Sequence, residues 1–404
     1  MVRHEDKTVL SLMNDYRGEP SEFALVVPVP EVLHREQIHI GDRELFRRID
    51  AYSSPRLVEY YDPNPCQIMM REMTPMDAAR LAAGSKLRSA QTESLGVTIE
   101  AQYTVGEYDI VILSATQSDG LEEWLHINGY HIPPGASRAL KPYLRQNMKF
   151  FVAKINLKEH AATGLSYLRP LQFAFSSPKF MLPIRLGMLN AQGPQDLVIY
   201  ALTENGRVET TNYRTRQLPT GVDLPSSVKD DFQSFYKDMF DHQVRLNGMT
   251  TVFTEYVWNM AWCDPCAAQP LSQEELRKLG VFWLSDVNRL VPQMFPLPPQ
   301  GMAPVILTRL HVRYSADTFP EDLVFQETQD TEHYQARYVL HRPWQGSPNE
   351  CPAAKTYFEE LEQRRRKEAE NLADLTGWNM EKALRKAGLN PSEKPGPWWH
   401  GLWD

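Results

Sequence analysis

The sequence predicts an α+β fold in which mostly antiparallel sheets carry a few amphipathic helices. Segments rich in β-branched and aromatic residues follow one another with few helices between them, as in "GVTIEAQYTV" and "YDIVILSA". The 30 prolines cluster at turns and strand edges, for example in "FPLPPQGMAP". A composition of 42% hydrophobic and 23% charged residues is that of a folded globular protein. Together these patterns favour consecutive sheet strands over a regular βαβ series.

In the N-terminal part, predicted strands surround two predicted helices. Alternation in "VLSLM", and apolar runs in "SEFALVVPVP" and "RLVEYY", predict strands. The spacing of Leu45, Phe46 and Ile49 predicts a helix in "GDRELFRRIDAYS", and Ser118 is the predicted N-cap of a second helix in "SDGLEEWLHINGY". Residues 66–96 are polar and aperiodic, which predicts an exposed, flexible insertion.

The clearest helical pattern of the chain lies at 226–246, where Ser227 and Asp230 resemble a capping box. A strand in "TVFTEYVWN" follows, and Ser272 is predicted to cap the next helix. Further strands are predicted in "GVFWL", "APVILTRLHVRY", "DLVFQE" and "ARYVLH", and further helices at 353–373 and 380–387. Thioredoxin-like domains have a similar order of elements, so the C-terminal half carries a thioredoxin-like supersecondary order.

These elements predict three domains. Residues 1–225 form a strand-rich N-terminal domain that contains the insertion, and 226–350 form an α/β domain with a close cysteine pair. Residues 351–404 form a helical C-terminal extension that ends in a tryptophan-rich tail.

Charge and motifs argue against several functions. The net charge of −8 argues against nucleic-acid binding, which depends on a basic surface, and "RRRK" at 364–367 is interpreted as a charged helix face. No apolar run is long enough for a transmembrane segment. The usual hydrolase, P-loop and dinucleotide motifs are missing, so no cofactor is predicted. The first residues contain no signal-peptide hydrophobic region, so we expect either a cytosolic protein or a leader upstream of Met1.

The stretch "WCDPC" at 262–266 is typical of thiol–disulfide oxidoreductases. In that interpretation Cys263 is the nucleophile, Cys266 is the resolving thiol, and Pro304 is the cis-proline that faces them.

Local features favour a structural role for these cysteines instead. Pro270 and the Ser272 cap place the thiols in a loop before the helix, so the helix does not lower the pKa of the thiol, and Asp264 opposes thiolate formation. Four cysteines allow three pairings, so a Cys263–Cys266 bridge and pairing with Cys66 and Cys351 both stay open. Only one close pair exists, which disfavours a four-cysteine zinc site, and no metal site is predicted.

Three tryptophans, Trp398, Trp399 and Trp403, lie in the C-terminal tail "EKPGPWWHGLWD". A short Pro/Gly segment cannot bury them by itself, so they either pack onto the body of the protein or bind a protein partner. Packing onto the protein itself is the favoured interpretation of the two.

Several long phrases resemble a bacterial family known as domain of unknown function 2330. They are "EFALVVPVP", "RLVEYYDPNPC", "WCDPCAAQPLSQEELRKLGVFW" and "TRLHVRYSADTFPEDLVFQET". The resemblance implies an exported protein, in which Cys263 and Cys266 are bridged, and it implies no catalytic residue. We therefore expect a periplasmic or extracellular binding or structural protein, with an accessory role in an envelope-associated assembly. The alternative is the oxidoreductase.

Overall fold

The computed structural model describes residues 1–13, 23–67, 97–130, 132–133, 135–189, 191, 193–262, 264, 268–284 and 303–391. It confirms the predicted α+β class, because helices and mostly antiparallel sheets both contribute substantially. Most of the predicted flexible insertion, 68–96, lies outside the described residues.

The strands of the described residues are short to medium in length and belong to four sheets. In chain order they are β1 (Val2–His4), β2 (Lys7–Leu12), β3 (Ala24–Val29), β4 (Ile38–Ile40), β5 (Arg56–Tyr61), β6 (Thr98–Val105), β7 (Tyr108–Ser114), β8 (Lys149–Ile155), β9 (Leu171–Ser176), β10 (Met181–Leu182), β11 (Gln195–Thr203), β12 (Val208–Thr210), β13 (Arg214–Gln217), β14 (Val222–Leu224), β15 (Thr251–Asn259), β16 (Ile306–Tyr314), β17 (Leu323–Glu327), β18 (Tyr334–Gln335) and β19 (Arg337–Arg342).

The α-helices of the described residues vary from one and a half turns to seven turns. They are α1 (Arg43–Ser53), α2 (Ser118–Ile127), α3 (Ala136–Leu144), α4 (Leu157–Thr163), α5 (Phe232–Leu246), α6 (Gln273–Lys278), α7 (Pro352–Thr376) and α8 (Met380–Lys386). Short 3-10 helices occur at Arg35–Gln37, Arg185–Met188 and Ser226–Asp231.

The chain divides into two compact units, each assembled from separate stretches of sequence. Unit 1 comprises Met1–Arg56, Leu95–Thr220 and Gln243–Arg337, and unit 2 comprises Leu57–Ser94, Gly221–His242 and Tyr338–Asp404. This grouping by contacts differs from three consecutive domains. Independent folding of 1–225, 226–350 and 351–404 stays a prediction.

Unit 1 is built around a nine-stranded sheet with the order β13-β15-β16-β11-β1-β2-β9-β4, in which β18 also pairs with β15. One face packs against the four-stranded sheet β3-β8-β7-β6, and Phe151 and Phe173 stack there with ring centroids 4.9 Å apart. The opposite face is covered by α1 and α6, through residues such as Leu45 and Leu276. Helices α2 and α3 cover the outer face of the four-stranded sheet. Alternate apolar residues along the strands explain this layering, since each sheet has two faces to bury.

Unit 2 contains the three-stranded sheet β14-β19-β5, except for the first residues of β5 and β19, together with α7, α8 and α5 up to His242. Its core includes Tyr338, whose ring lies 5.0 Å from that of Phe235. Proline at the first position of α7 and Gly377 in a left-handed conformation after its last residue define the ends of this long helix.

Local sequence signals gave mixed results. The predicted cap of α6 is confirmed, because the Ser272 hydroxyl accepts a hydrogen bond from the Glu275 backbone N–H. The predicted capping box at Ser227 is wrong: Ser226–Asp231 is a 3-10 helix, α5 begins at Phe232, and the Ser227 hydroxyl instead donates to the Lys386 carbonyl at 2.6 Å. The predicted strand in "GVFWL" is also wrong, since none of residues 280–284 lies in a strand. Val281, Trp283 and Leu284 are buried against α6 and the sheet without pairing as a strand, whereas Phe282 is exposed.

Candidate functional site

The loop that carries the cysteine pair follows β15 in unit 1. Cys263 and Cys266 lie outside the described residues, so the redox and structural interpretations of this pair both stay predictions. The predicted order of strand, loop, short helix and strand is present, and β15 pairs with β16 in antiparallel fashion. Pro304 is exposed just before β16, and its neighbour Val305 accepts a backbone hydrogen bond from Met260 at 2.9 Å.

Asp264, between the two cysteines, anchors this loop to the core of unit 1. Its carboxylate is buried and accepts hydrogen bonds from the Tyr256 hydroxyl at 2.8 Å and from Nε2 of Gln335 at 2.5 Å. Nη1 of Arg56 lies 3.9 Å from the same carboxylate. Since these donors compensate the buried charge, the arrangement holds the middle of the loop in place.

An aromatic surface borders the loop. The indole of Trp258 stacks on His333 with ring centroids 4.0 Å apart, and its N–H donates to the Trp262 carbonyl at 3.0 Å. The Trp262 residue itself is 59% exposed. A large exposed indole next to an anchored loop is a surface on which another molecule can pack.

A buried ionic network occupies the nine-stranded sheet beside this loop. Glu255 on β15 is only 1% exposed and lies between two residues of β16. It accepts a hydrogen bond from Nε of Arg309 at 2.5 Å, and its other oxygen lies 2.7 Å from Nδ1 of His311. Arg309 also donates to Asp50 at 2.6 Å, and the Tyr200 hydroxyl donates to Asp50 at 2.7 Å.

The electrostatics of this network are those of a closed structural cluster. Burial alone would lower the pKa of Arg309, but the charges of Glu255 and Asp50 outweigh it and hold that pKa above its ordinary value. Burial would likewise raise the pKa of Asp50, but the charge of Arg309 and the hydrogen bond from Tyr200 hold it below its ordinary value. Each charge therefore has a partner within the fold, which is what buried charges require.

A disulfide joins two distant parts of unit 2. Cys66 pairs with Cys351, the residue that precedes α7, and the two Cα atoms are 6.0 Å apart across a sequence separation of 285 residues. The bond fastens the segment after β5 to the beginning of α7.

Asp62, in the fastened segment, makes a second link to α7. It accepts hydrogen bonds from both terminal nitrogens of Arg364, at 3.2 and 2.5 Å, and from the Tyr357 hydroxyl at 2.6 Å. Burial alone would raise the pKa of Asp62, but the hydrogen bonds from Arg364 and Tyr357 hold it below the usual range. Such a two-pronged contact fixes the guanidinium plane of Arg364.

The polar cleft of unit 2 opens beside this link and has a volume of about 220 Å³. Its walls combine charged side chains, two hydroxyl groups and several apolar residues. Its lining consists of Pro225, Ser226, Ser227, His341, Pro343, Leu361, Arg364, Arg365, Glu368, Lys386, Ala387 and Gly388.

Glu368 is the most buried charged group of the polar cleft, with 6% of its side chain exposed. One of its oxygens lies 3.6 Å from Nε of Arg364, which is too long for a good hydrogen bond. Burial, assisted by the charge of Asp223 and opposed by Arg364 and Arg365, raises the pKa of Glu368 to about 7. A carboxyl group that titrates near neutral pH inside a cleft is a candidate for ligand binding or proton transfer.

The polar cleft was missed in the sequence, although α7 carries a signal for it. One face of the helix is shared by residues spaced three or four positions apart, namely Leu361, Arg365, Glu368 and Leu372. Two charges within an otherwise apolar stripe indicate a buried or cleft-facing site. "RRRK" was interpreted as a charged helix face. Arg366 and Lys367 pair with Glu362 and Glu370, whereas Arg364 and Arg365 line the polar cleft.

Other sequence predictions have less support in the structure. Trp398, Trp399 and Trp403 lie outside the described residues, so their role in partner binding stays a prediction. No helix of the described ranges combines the length and apolarity that a membrane span needs. Within the same ranges, no group of three His, Cys, Asp or Glu side chains is placed to hold a metal ion.

Comparison with known proteins gives a family and nothing more specific. The profile of domain of unknown function 2330, described as an uncharacterised protein conserved in bacteria, matches residues 1–326. The chain belongs to this family. No curated protein and no solved structure matches it. The family profile covers only part of the polar cleft. Ser226 and Ser227 lie within the matched residues, whereas Arg364, Glu368 and Lys386 lie after them.

Proposed function

We propose that this protein is exported to the periplasm or the cell exterior and acts there as a binding or structural protein, as a subunit of an envelope-associated assembly. The observation that carries the proposal is the Cys66–Cys351 disulfide, which fastens the segment after β5 to the beginning of α7. Disulfides persist in oxidising compartments and are rare in the bacterial cytoplasm. Membership of a bacterial family is compatible with this location.

In the same proposal, Cys263 and Cys266 form a second, structural disulfide. Asp264 supports this role, because its buried contacts with Tyr256 and Gln335 hold the loop from within. A disulfide between Cys263 and Cys266 would close a short ring of chain within this anchored loop.

The test is a disulfide map of protein recovered from the cell envelope and from the medium. Mass spectrometry of unreduced peptides is expected to find Cys66 linked to Cys351 and Cys263 linked to Cys266, in protein that has left the cytoplasm. Free thiols at all four positions in a protein confined to the cytoplasm would contradict the proposal. Disulfide-exchange activity that Cys263→Ser abolishes, while Cys66→Ser retains it, would establish the oxidoreductase instead.

The C-terminal tail gives a separate test of the assembly. If Trp398, Trp399 and Trp403 supply an apolar contact area for an envelope partner, deletion of 391–404 reduces co-purification with that partner. A deletion that lowers only the melting temperature would assign the tryptophans to the core of the protein itself.

A further inference from the structure

We propose that the polar cleft of unit 2 binds a small oxyanion, a phosphate or carboxylate group, through Arg364, Arg365 and Lys386. This inference names the ligand class for the proposed binding role. It does not depend on export, because binding can be measured with purified, oxidised protein.

Two further cations, Arg365 and Lys386, line the polar cleft. Both are half-buried, and no salt bridge joins either of them to an acid among the described residues. The neighbouring Arg366 and Lys367 on α7 do have acidic partners. Half-buried cations are costly to leave unpaired, and an anionic ligand supplies the missing charge.

Arg364 adds a donor that is already oriented. Its two terminal nitrogens are held by Asp62, whereas its Nε is buried, lies 3.6 Å from an oxygen of Glu368 and has no hydrogen-bond partner among the described residues. An unsatisfied buried donor destabilises the empty site, so an acceptor oxygen in the cleft stabilises this arrangement. Guanidinium groups match the geometry of carboxylate and phosphate oxygens, whereas chloride offers no such match.

Glu368 makes the binding depend on pH. Its neutral form, present below about pH 7, can donate a hydrogen bond to an anion, whereas its ionised form repels one. The charged and titratable groups around it come from five elements: Arg364 and Arg365 on α7, Asp62 after β5, Asp223 on β14, His341 on β19 and Lys386 on α8. Anion affinity is therefore expected to fall as the pH rises through 7.

The volume of the polar cleft limits the ligand. Drug-sized and cofactor-sized molecules occupy pockets of about 300–1,000 Å³, which is more than the 220 Å³ of this cleft. The space suits inorganic phosphate, a small phosphomonoester or a short-chain carboxylate. Phosphate and carboxylate ligands share oxyanion chemistry, but a phosphate group is tetrahedral and a carboxylate group is planar.

The experiment is calorimetric titration of the full-length oxidised protein at pH 6 with sodium phosphate and with sodium succinate, in sodium chloride of matched ionic strength. We expect saturable binding at one site, which the double variant R365Q/K386Q weakens by at least about tenfold through the loss of two charge-assisted hydrogen bonds. The matched control is R366Q/K367Q, which removes the same charge from the other face of α7 and leaves the dissociation constant within about twofold. Circular dichroism and melting temperature confirm that both variants are folded.

The possible results separate the sources and the mechanism. Binding of phosphate alone assigns a tetrahedral anion, binding of succinate alone assigns a carboxylate, and either result supports the site. Absence of saturable binding with both salts overturns the proposal. Equal weakening by R366Q/K367Q also overturns it, because that result would reflect general surface charge.

Proton linkage is tested by Glu368→Gln. Between pH 6 and pH 8 the wild type is expected to lose about tenfold more affinity than E368Q, because glutamine stays neutral. Equal pH dependence in the two proteins would remove Glu368 from the site. The titrations use protein oxidised in vitro, whereas the disulfide map uses protein recovered from cells, so the two proposals fail separately.

Discussion

Units 1 and 2 each contain a cluster of buried charged residues, and the two clusters differ in how completely their charges are paired. In unit 1, Glu255 is bound by Arg309 and His311, and Arg309 is also bound by Asp50. In the polar cleft of unit 2, Glu368 has only a long contact to Arg364, and Arg365 has no acid of its own among the described residues. The first cluster is compensated by the fold, and the second is not.

This difference separates a structural role from a binding role. Buried charges that are paired with one another and hydrogen-bonded contribute to a specific native state and leave little charge for a ligand. Cleft-lining charges that lack partners cost stability in the empty protein, and a ligand of opposite charge removes that cost. The same residue types therefore have different roles because of their pairing.

Breaking the network of unit 1 is expected to have the largest effect on stability. Arg309→Leu leaves Glu255 buried without its main partner, so we predict a loss of about 3–5 kcal/mol in the free energy of unfolding, measured by urea denaturation. Arg313→Leu is the control, because Arg313 lies four residues further along β16 and pairs with the half-exposed Asp196. Its loss is expected to stay below about 1 kcal/mol. Equal losses would show that the network is no more important than a surface pair.

Removal of the disulfide is expected to be the next largest perturbation and to affect the polar cleft selectively. Cys351→Ser or a reducing agent frees the Cys66 segment, which carries Asp62, so we predict a loss of about 2–4 kcal/mol. Hydrogen exchange should become faster in the first turns of α7, while β16 of unit 1 stays protected. Unchanged exchange in α7 would mean that Asp62 and Tyr357 hold the helix without the covalent bond.

Titration of Glu368 is expected to have a smaller effect with a definite sign. Its folded pKa of about 7 lies above the ordinary value of 4.5, so the folded state binds the proton more tightly than the unfolded state. The stabilising contribution is complete below pH 4.5 and is lost as the pH rises through 7, with about 2–3 kcal/mol lost between pH 5 and pH 8. Stability measured from pH 5 to pH 8 should therefore fall less in E368Q than in the wild type. Parallel curves for the two proteins would contradict the raised pKa.

Asp264→Asn is expected to have the smallest of these effects. Asparagine keeps an acceptor for Tyr256 and Gln335 but loses the charge near Arg56, so we predict a loss of about 1–2 kcal/mol. Denaturation under oxidising conditions measures it, with Asp317→Asn as an exposed control. A neutral effect would show that the loop is held by its cysteines alone.

The sequence was informative where the determinants are local. The cap at Ser272 requires only residues three positions apart, and strand alternation is visible within single segments, so the fold class and α6 could be predicted. The Cys66–Cys351 pairing could not be chosen among the alternatives, because the two residues are brought together by tertiary contacts across 285 residues. The polar cleft also depends on tertiary structure, although Glu368 in the apolar stripe of α7 was an available signal. Ser227 was predicted to be a cap because its side chain suits that role, but tertiary packing directs it to Lys386.

The most direct test of the contrast between the two clusters is nuclear magnetic resonance of the arginine Nε–H groups during a phosphate titration at pH 6. Nε of Arg364 has no hydrogen-bond partner among the described residues, whereas Nε of Arg309 is bonded to Glu255. We predict that the Arg364 and Arg365 signals shift saturably with a common dissociation constant while the Arg309 signal stays in place. Movement of the Arg309 signal to the same extent, or no movement of any of the three, would contradict the assignment of the polar cleft as an oxyanion site.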